Sequence, residues 1–116
     1  MDPTLASLTR SLREFAAERE WEQFHSPKNL ACALAVEAAE LLEHFQWLTE
    51  AQSRELAPEK LAAVSHEAAD VLLYLLQLAD QLRIDLPAAA QEKLALNARK
   101  YPVERARGNS RKYDES

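Results

Sequence analysis

Two pairs of acidic residues are the part of this sequence best suited to chemistry. The members of each pair are three residues apart: Glu37 with Glu40, and Glu67 with Asp70. Residues at this spacing lie on the same side of a helix. At about 100° per residue, Glu37 falls inside the apolar stripe of its helix and Glu67 at the edge of the next stripe. Burying an unpaired carboxylate is costly, so the pattern predicts a compensating partner.

A divalent cation is one partner that fits these acidic pairs. Four carboxylates converging between two helices would repel one another, and a bound cation would relieve that repulsion. Oxygen ligands alone favour Mg²⁺ or Mn²⁺ over zinc. The alternative is a solvated acidic face, with Lys28 and Lys60 neutralising part of the charge. A di-iron site is disfavoured, because it would use Glu-x-x-His and neither His44 nor His66 has that spacing.

Aromatic residues flank the second helix. The segment EWEQFHS places Trp21, Phe24 and His25 before this helix, and Trp47 stands at its end. These rings predict either a hydrophobic cap on the end of a bundle or a slot in which a flat base stacks.

The segment KLALNARKYP carries polar residues on the last expected helix. Lys93 and Asn97 are four residues apart and share a helix face with Tyr101. Lys93 and Lys100 are either ordinary solvated lysines or contacts for phosphate. The sequence has no Gly-rich phosphate loop, so phosphate binding would depend on a metal and on these lysines.

Proline and capping residues predict four helices joined by short connections. The first is expected to have Asp2 as its N-cap and Pro3 at its first position, and the second to have Ser26 as its N-cap. The expected helices span about residues 3–19, 27–48, 58–82 and 87–101. The expected fold class is all-α, a four-helix bundle. We expect one domain over residues 1–102 and a polar tail, extended or disordered, over residues 103–116.

Composition and charge restrict the partners and the location. The 116 residues carry a net charge of −5, and the pI is about 5.2, which disfavours binding to a nucleic acid polymer. The single cysteine, Cys32, excludes an internal disulfide and fits a reducing compartment. We find no signal peptide and no apolar run of about 18 residues. A cytoplasmic protein without a membrane partner is therefore expected.

Taken together, these residues resemble the all-α nucleoside triphosphate pyrophosphohydrolases of the MazG type. The similarity extends over about residues 10–113, and the segments that carry it are FAAEREWEQFHSPKNLACALAVEAAELLEHFQW, EAADVLLYLLQLADQLRIDLP and KLALNARKYPVERARGNSRKY. These segments are similar to the dCTP pyrophosphatase branch. The resemblance implies a homo-oligomer, commonly a dimer of dimers, with sites built partly from a neighbouring copy.

The resemblance also implies an activity and a set of site residues. The reaction would be hydrolysis of a nucleoside triphosphate, dCTP or a modified cytosine nucleotide, to the monophosphate and pyrophosphate. Mg²⁺ or Mn²⁺ would be held by Glu37, Glu40, Glu67 and Asp70, with Glu40 or Glu67 activating the attacking water. The candidate substrate-binding residues are Trp21, His25, Trp47, Tyr74, Lys93, Asn97, Lys100 and Tyr101.

One departure from the resemblance concerns the choice of base. The animal enzymes carry a histidine in the first helix where this chain has Leu12. A dUTPase-like or broad-specificity pyrophosphatase therefore stands as an alternative, and so does a non-enzymatic dimeric helical module whose acidic patch binds a partner protein.

Overall fold

The computed structural model describes residues 3–110, and the regular structure of this range is helical. A 3₁₀ turn, Glu22–Phe24, separates the first two of the helices. The six α-helices of the described range are α1 Leu5–Glu18, α2 Pro27–Glu43, α3 Glu50–Arg54, α4 Pro58–Leu82, α5 Leu86–Lys100 and α6 Val103–Ala106. Contacts divide the chain into two compact units, residues 1–83 and 84–116, which are described separately.

Helix α1 begins two residues later than the sequence predicted. Thr4 is its N-cap, and the Thr4 hydroxyl accepts a hydrogen bond of 3.0 Å from the Ser7 N–H. The Ser7 hydroxyl accepts one of 2.8 Å from the Thr4 N–H. This capping box satisfies two N–H groups that the first turn leaves without partners, so the predicted start at Pro3 was wrong. Asp2 lies outside the described residues.

Helix α2 begins as predicted and ends earlier. The Ser26 hydroxyl accepts a hydrogen bond of 3.1 Å from the Asn29 N–H, and Pro27 occupies the first position. The helix ends at Glu43 instead of continuing to Leu48. Helix α3, which the sequence did not predict, follows after a turn and is capped by Thr49.

Helix α4 has the predicted bounds and is the central element of the first unit. It packs against both α1 and α2. The buried apolar side chains of the described residues are few, and they come from these three helices: Ala16, Leu30, Leu76 and Ala79. Leu61 and Leu82, near the two ends of α4, are about half exposed. At 1.5 Å per residue the 25-residue α4 is longer than the 17-residue α2, so the ends of α4 extend beyond this partner.

By length and composition alone, α4 is also apolar enough to cross a membrane, with a mean hydropathy of 1.3 over 18 residues. The expectation that no segment meets this criterion was therefore wrong. The central helix of a soluble protein meets the same criterion, and α4 packs on two neighbouring helices and carries Glu67, Asp70 and Asp80.

The second unit contains α5 and α6. The Asp85 carboxylate caps α5 by accepting a hydrogen bond of 3.1 Å from the Ala88 N–H. Helix α5 ends at Lys100, one residue before the predicted end. Helix α6 lies in the segment that we expected to be extended or disordered. Residues 111–116 of that predicted tail lie outside the described residues, and the domain boundary and the four-helix count remain predictions.

Candidate active site

Carboxylates from α2 and α4 form an acidic cluster. Glu37, Glu67 and Asp70 each offer one ligand oxygen, and these three oxygens lie within 4.8 Å of one another. Glu37 and Glu67 are half-buried and Asp70 is exposed. The packing of α2 on α4 therefore brings together three of the four predicted metal ligands in an arrangement that could hold a divalent cation.

The surroundings of Glu67 fit a cation in this cluster. Its Oε2 atom is buried and has no hydrogen-bond partner among the described residues. Within the described part of the first unit, residues 3–83, no Lys or Arg side chain forms an ion pair with the cluster. A buried carboxylate oxygen without a partner is destabilising, and a metal ion would supply that partner.

The pKa of Glu37 reflects the same unfavourable environment. This pKa is raised from the ordinary 4.5 to about 7, chiefly by burial, with further contributions from hydrogen bonding of the protonated form to Glu40 and Glu67 and from repulsion by both carboxylates. Glu40, the fourth predicted ligand, therefore lies beside Glu37 without contributing to the group of three oxygens.

An apolar cavity of about 410 Å³ adjoins the acidic cluster. The two share Asp70, which is both a candidate ligand and part of the cavity wall. The volume lies in the range of small-molecule sites, which combine apolar walls with a few polar groups. The lining residues are Leu8, Ser11, Leu12, Phe15, Trp21, His25, Asp70, Leu73, Tyr74 and Gln77.

Helices α1 and α4 supply most of the cavity wall, and both do so at helical spacing. Each set follows the spacing i, i+3, i+4, i+7, so each set forms one face of its helix. The α1 face consists of Leu8, Ser11, Leu12 and Phe15, and the α4 face of Asp70, Leu73, Tyr74 and Gln77.

The chain reversal after α1 positions Trp21 in the cavity wall. Glu20 has a left-handed backbone with φ of 54°. The Trp21 N–H donates to the Ala16 carbonyl oxygen at 2.9 Å, and the Glu20 N–H donates to the Ala17 carbonyl oxygen at 3.1 Å. These two bonds form a Schellman motif, which ends the helix and turns the chain back towards it.

This turn produces an aromatic group at the cavity. The rings of Phe15 and Trp21 meet edge to face with centroids 5.6 Å apart. The rings of Trp21 and His25 are arranged similarly at 6.3 Å. The Arg19 guanidinium carbon lies 3.6 Å from the Phe15 ring centroid, a cation–π contact that restrains this ring. The cavity therefore presents aromatic surface to a ligand.

A salt bridge connects the same two helices near the cavity. Arg13 on α1 donates to Asp80 on α4 through two nitrogens, and the Nε–Oδ2 distance is 2.8 Å. The Arg13 guanidinium holds the pKa of Asp80 below its ordinary value. Paired nitrogen–oxygen contacts fix the relative orientation of the two side chains, so this bridge helps to set the separation of α1 and α4.

The structure brings together some predicted substrate-binding residues and not others. Trp21, His25 and Tyr74 line the cavity, whereas Trp47 is 86% exposed and does not line it. Because α2 ends at Glu43, Trp47 follows in a turn instead of continuing the helix. The remaining predicted contacts belong to the second unit, and their role stays a prediction: Lys93, Asn97, Lys100 and Tyr101.

Two polar residues of the cavity wall were absent from the predicted set. Ser11 and Gln77 line the cavity with the aromatic residues. Gln77 lies three residues after Tyr74 and seven after Asp70, a spacing that places it on the same helix face. The sequence therefore places Gln77 on the same helix face as Asp70 and Tyr74. Only the packing of α1 against α4 shows that this face lines a cavity.

The sequence matches a family model described as MazG-like over residues 32–115. Among curated proteins, it is 48% identical to human dCTP pyrophosphatase 1, covering 98% of this chain and 68% of that protein. It is 46% identical to dCTP pyrophosphatase 1 of Rattus norvegicus, covering 97% of this chain and 67% of the relative. Among solved structures, a pyrophosphatase from Archaeoglobus fulgidus superposes with a TM-score of 0.81 at 41% identity, covering 88% of this chain and 95% of the other.

Proposed function

Because the chain belongs to the MazG-like family, we propose that it hydrolyses a nucleoside triphosphate to the monophosphate and pyrophosphate. One observation carries the proposal: an acidic cluster suited to a divalent cation shares Asp70 with an aromatic cavity suited to a base. The relatives named dCTP pyrophosphatase 1 favour dCTP or a modified cytosine deoxynucleotide as the substrate. Removal of such nucleotides from the cellular pool is the corresponding role.

The proposed cofactor is Mg²⁺, with Mn²⁺ as a substitute. Glu37, Glu67 and Asp70 would hold it, and Glu40 lies beside Glu37. Carboxylate oxygens are the ligands that these hard cations prefer. When bound, the metal would neutralise phosphate charge as that charge shifts during the reaction.

Glu40 is the residue that we propose to orient the attacking water. It adjoins the cluster, but its oxygens are not among the three grouped as candidate ligands. It can therefore accept a proton from a water molecule while the other carboxylates serve the metal. The water oxygen would bond to the α-phosphorus, the bond between this phosphorus and the bridging oxygen would break, and pyrophosphate would leave. Glu67 is the alternative for this role.

The base would occupy the aromatic cavity. Trp21 and Tyr74 offer ring surface on which a base can stack, and such stacking contributes about 1–3 kcal/mol per base. His25 lies against Trp21 and adds a polar edge. Because Asp70 belongs to both regions, a nucleotide could place its base in the cavity while its phosphates lie at the acidic cluster.

We also propose that the protein is a homo-oligomer, a dimer of dimers. Support comes from the apolar side chains that the described residues leave exposed, among them Val36 at 56%, Leu42 at 61% and Trp47 at 86%. Exposed apolar surface of this kind commonly marks an interface. Trp47 would then contact the site of a neighbouring copy. Light scattering coupled to gel filtration measures the oligomer mass, and a monomer would contradict this part of the proposal.

A nucleotide panel tests the activity. The protein is incubated with dCTP, 5-methyl-dCTP, dUTP and the other canonical triphosphates, with Mg²⁺ or with EDTA, and monophosphate and pyrophosphate are measured. We expect both products from dCTP, only with the metal. Preferred hydrolysis of dUTP would support the dUTPase-like alternative, and equal hydrolysis of all triphosphates the broad-specificity one. Release of orthophosphate alone would contradict the proposed bond cleavage.

Two variants connect that activity to the cluster. Asp70→Asn and Glu67→Gln remove one charge each while keeping the side-chain size, so both should abolish turnover. Glu43→Gln is the matched control, since Glu43 is an exposed residue of α2 outside the cluster. If no nucleotide yields product under any metal condition, the non-enzymatic helical module becomes the better explanation.

A further inference from the structure

The proposed function leaves one amide of the cavity wall without a role. Gln77 is half-buried on α4 and lines the cavity with Leu73 and Tyr74. It lies seven residues after Asp70, which at 1.5 Å per residue corresponds to about 10 Å along the helix axis. If phosphates lie at the acidic cluster, the sugar and base must extend along the cavity, and Gln77 is a polar group at this greater distance from the cluster.

The hydrogen bonding of Gln77 is incomplete. Its Nε2 donates to the Leu73 carbonyl oxygen at 3.3 Å, a long bond within one turn of the helix. Within the described range, no other hydrogen bond is found for this side chain, so Oε1 and the second N–H have no protein partner. Oε1 is not among the buried atoms without a partner, so water can reach it in the free protein. A base that displaces this water from the cavity must replace the lost hydrogen bond, so a matching base is favoured over one that cannot pair with the amide.

Resting on the proposed function, we propose that Gln77 is a specificity-determining residue that selects bases carrying an exocyclic amino group. The bond from Nε2 to Leu73 favours the amide orientation in which Oε1 remains available as an acceptor. An acceptor pairs with the amino group of cytosine. The corresponding group of uracil is a carbonyl oxygen, which is also an acceptor, and two acceptors facing each other in an apolar cavity lose a hydrogen bond.

Ser11 and His25, two other polar residues of the cavity, do not provide this discrimination, and the Asp70 carboxylate is assigned to the acidic cluster. The Ser11 hydroxyl can rotate to donate or accept, so it suits either base. The His25 ring has one donor and one acceptor when neutral, and its tautomer can adapt. The Gln77 carboxamide can exchange its donor and acceptor only by turning the whole amide and losing the bond to Leu73, so we assign the selective role to Gln77.

Steady-state kinetics with dCTP and dUTP test this assignment. Gln77→Met keeps the length of the side chain and removes its hydrogen-bonding groups. We expect the ratio of kcat/KM for dCTP to that for dUTP to fall about tenfold, mainly through KM for dCTP, since one good base contact is worth about 1–3 kcal/mol of discrimination. Gln81→Met is the matched control, because Gln81 is an exposed residue of α4 that does not line the cavity, and it should leave the ratio unchanged.

A binding measurement without hydrolysis separates this inference from the proposed function. Calorimetric titration with dCMP and dUMP in EDTA should show a preference for dCMP that Gln77→Met removes and Gln81→Met retains. A purely structural role would weaken both nucleotides equally and leave both ratios unchanged, which would overturn the inference. If Gln77→Met fails to fold, Gln77→Ala is used with the same criterion. A wild-type protein that prefers dCMP but hydrolyses nothing would refute the proposed activity while supporting Gln77.

Discussion

The raised pKa of Glu37 predicts that metal binding releases protons near neutral pH. A metal ion binds the ionised carboxylate, so any proton on Glu37 must leave when the ion enters. With a pKa of about 7, Glu37 carries a proton in about half of the molecules at pH 7, about nine-tenths at pH 6 and about one-tenth at pH 8. We therefore expect about 0.9, 0.5 and 0.1 protons released from Glu37 per metal ion at these three pH values.

Isothermal titration calorimetry measures this release. Titrating Mn²⁺ into metal-free protein, in buffers of different ionisation enthalpy, gives the number of protons transferred to the buffer at each pH. Glu37→Gln should remove the pH-dependent part of the release and weaken binding. Glu43→Gln should behave as the wild type, since Glu43 is exposed on the same helix. Metal binding at pH 6 without proton release would refute the explanation based on Glu37.

Stability without metal provides a second readout of the same titration. A folded-state pKa of about 7, above the unfolded value near 4.5, means that the folded protein binds this proton more tightly. The contribution to stability is complete below pH 4.5 and is lost as the pH rises through 7. In EDTA, we expect thermal denaturation of the wild type to show this loss, and Glu37→Gln to lack it.

Three further predictions concern the core, the salt bridge and the aromatic wall. Leu30→Ala should lower the free energy of unfolding by about 3 kcal/mol, since Leu30 is 1% exposed, whereas Glu43→Ala at an exposed position of α2 should have little effect; urea denaturation of both compares them, and equal losses would contradict the assigned core. Asp80→Asn should lower the free energy of unfolding at neutral pH, because the pair with Arg13 requires the carboxylate. The wild type should lose this same stability as the pH falls through the lowered pKa of Asp80, and the variant should not. Acid titration followed by circular dichroism checks this, and identical acid unfolding curves would argue against the pair. Trp21→Leu should raise KM for dCTP about tenfold with little change in kcat, because a stacking surface is lost; a change confined to kcat would exclude this role.

Much of the helical structure could be predicted from local sequence. Ser26 and Pro27 mark the start of α2, and the bounds of α4 agree with the structure. Both results follow from interactions within one helical turn, which local sequence contains. Local sequence was insufficient where two starts of α1 were possible. Asp2 followed by Pro3 predicted that α1 begins at Pro3, but Thr4 and Ser7 form the reciprocal cap, so α1 begins at Leu5.

The acidic site was predictable from helical periodicity because the ligands recur at a spacing of three on two helices that pack together. Glu37, Glu67 and Asp70 converge in the structure, and only Glu40 lies outside the group of three oxygens. The resemblance to a known family supplied the expected reaction, which periodicity alone would not identify.

The base cavity could be predicted only in part, because its wall joins residues far apart in the chain. Sequence reasoning placed Trp21 and Trp47 together, but α2 ends at Glu43, and Trp47 then lies exposed in a turn. Conversely, Ser11 and Gln77 belong to different helices and line one cavity only because α1 packs on α4.

By itself, the sequence determined which residues share a helix face, since that follows from 3.6 residues per turn and from caps within a few residues. The tertiary structure decided which faces meet. Packing of α4 between α1 and α2 leaves Glu67 Oε2 without a hydrogen-bond partner on one side and places the amide of Gln77 in an apolar wall on the other. Both are consequences of burial between helices, a long-range property that local periodicity does not contain.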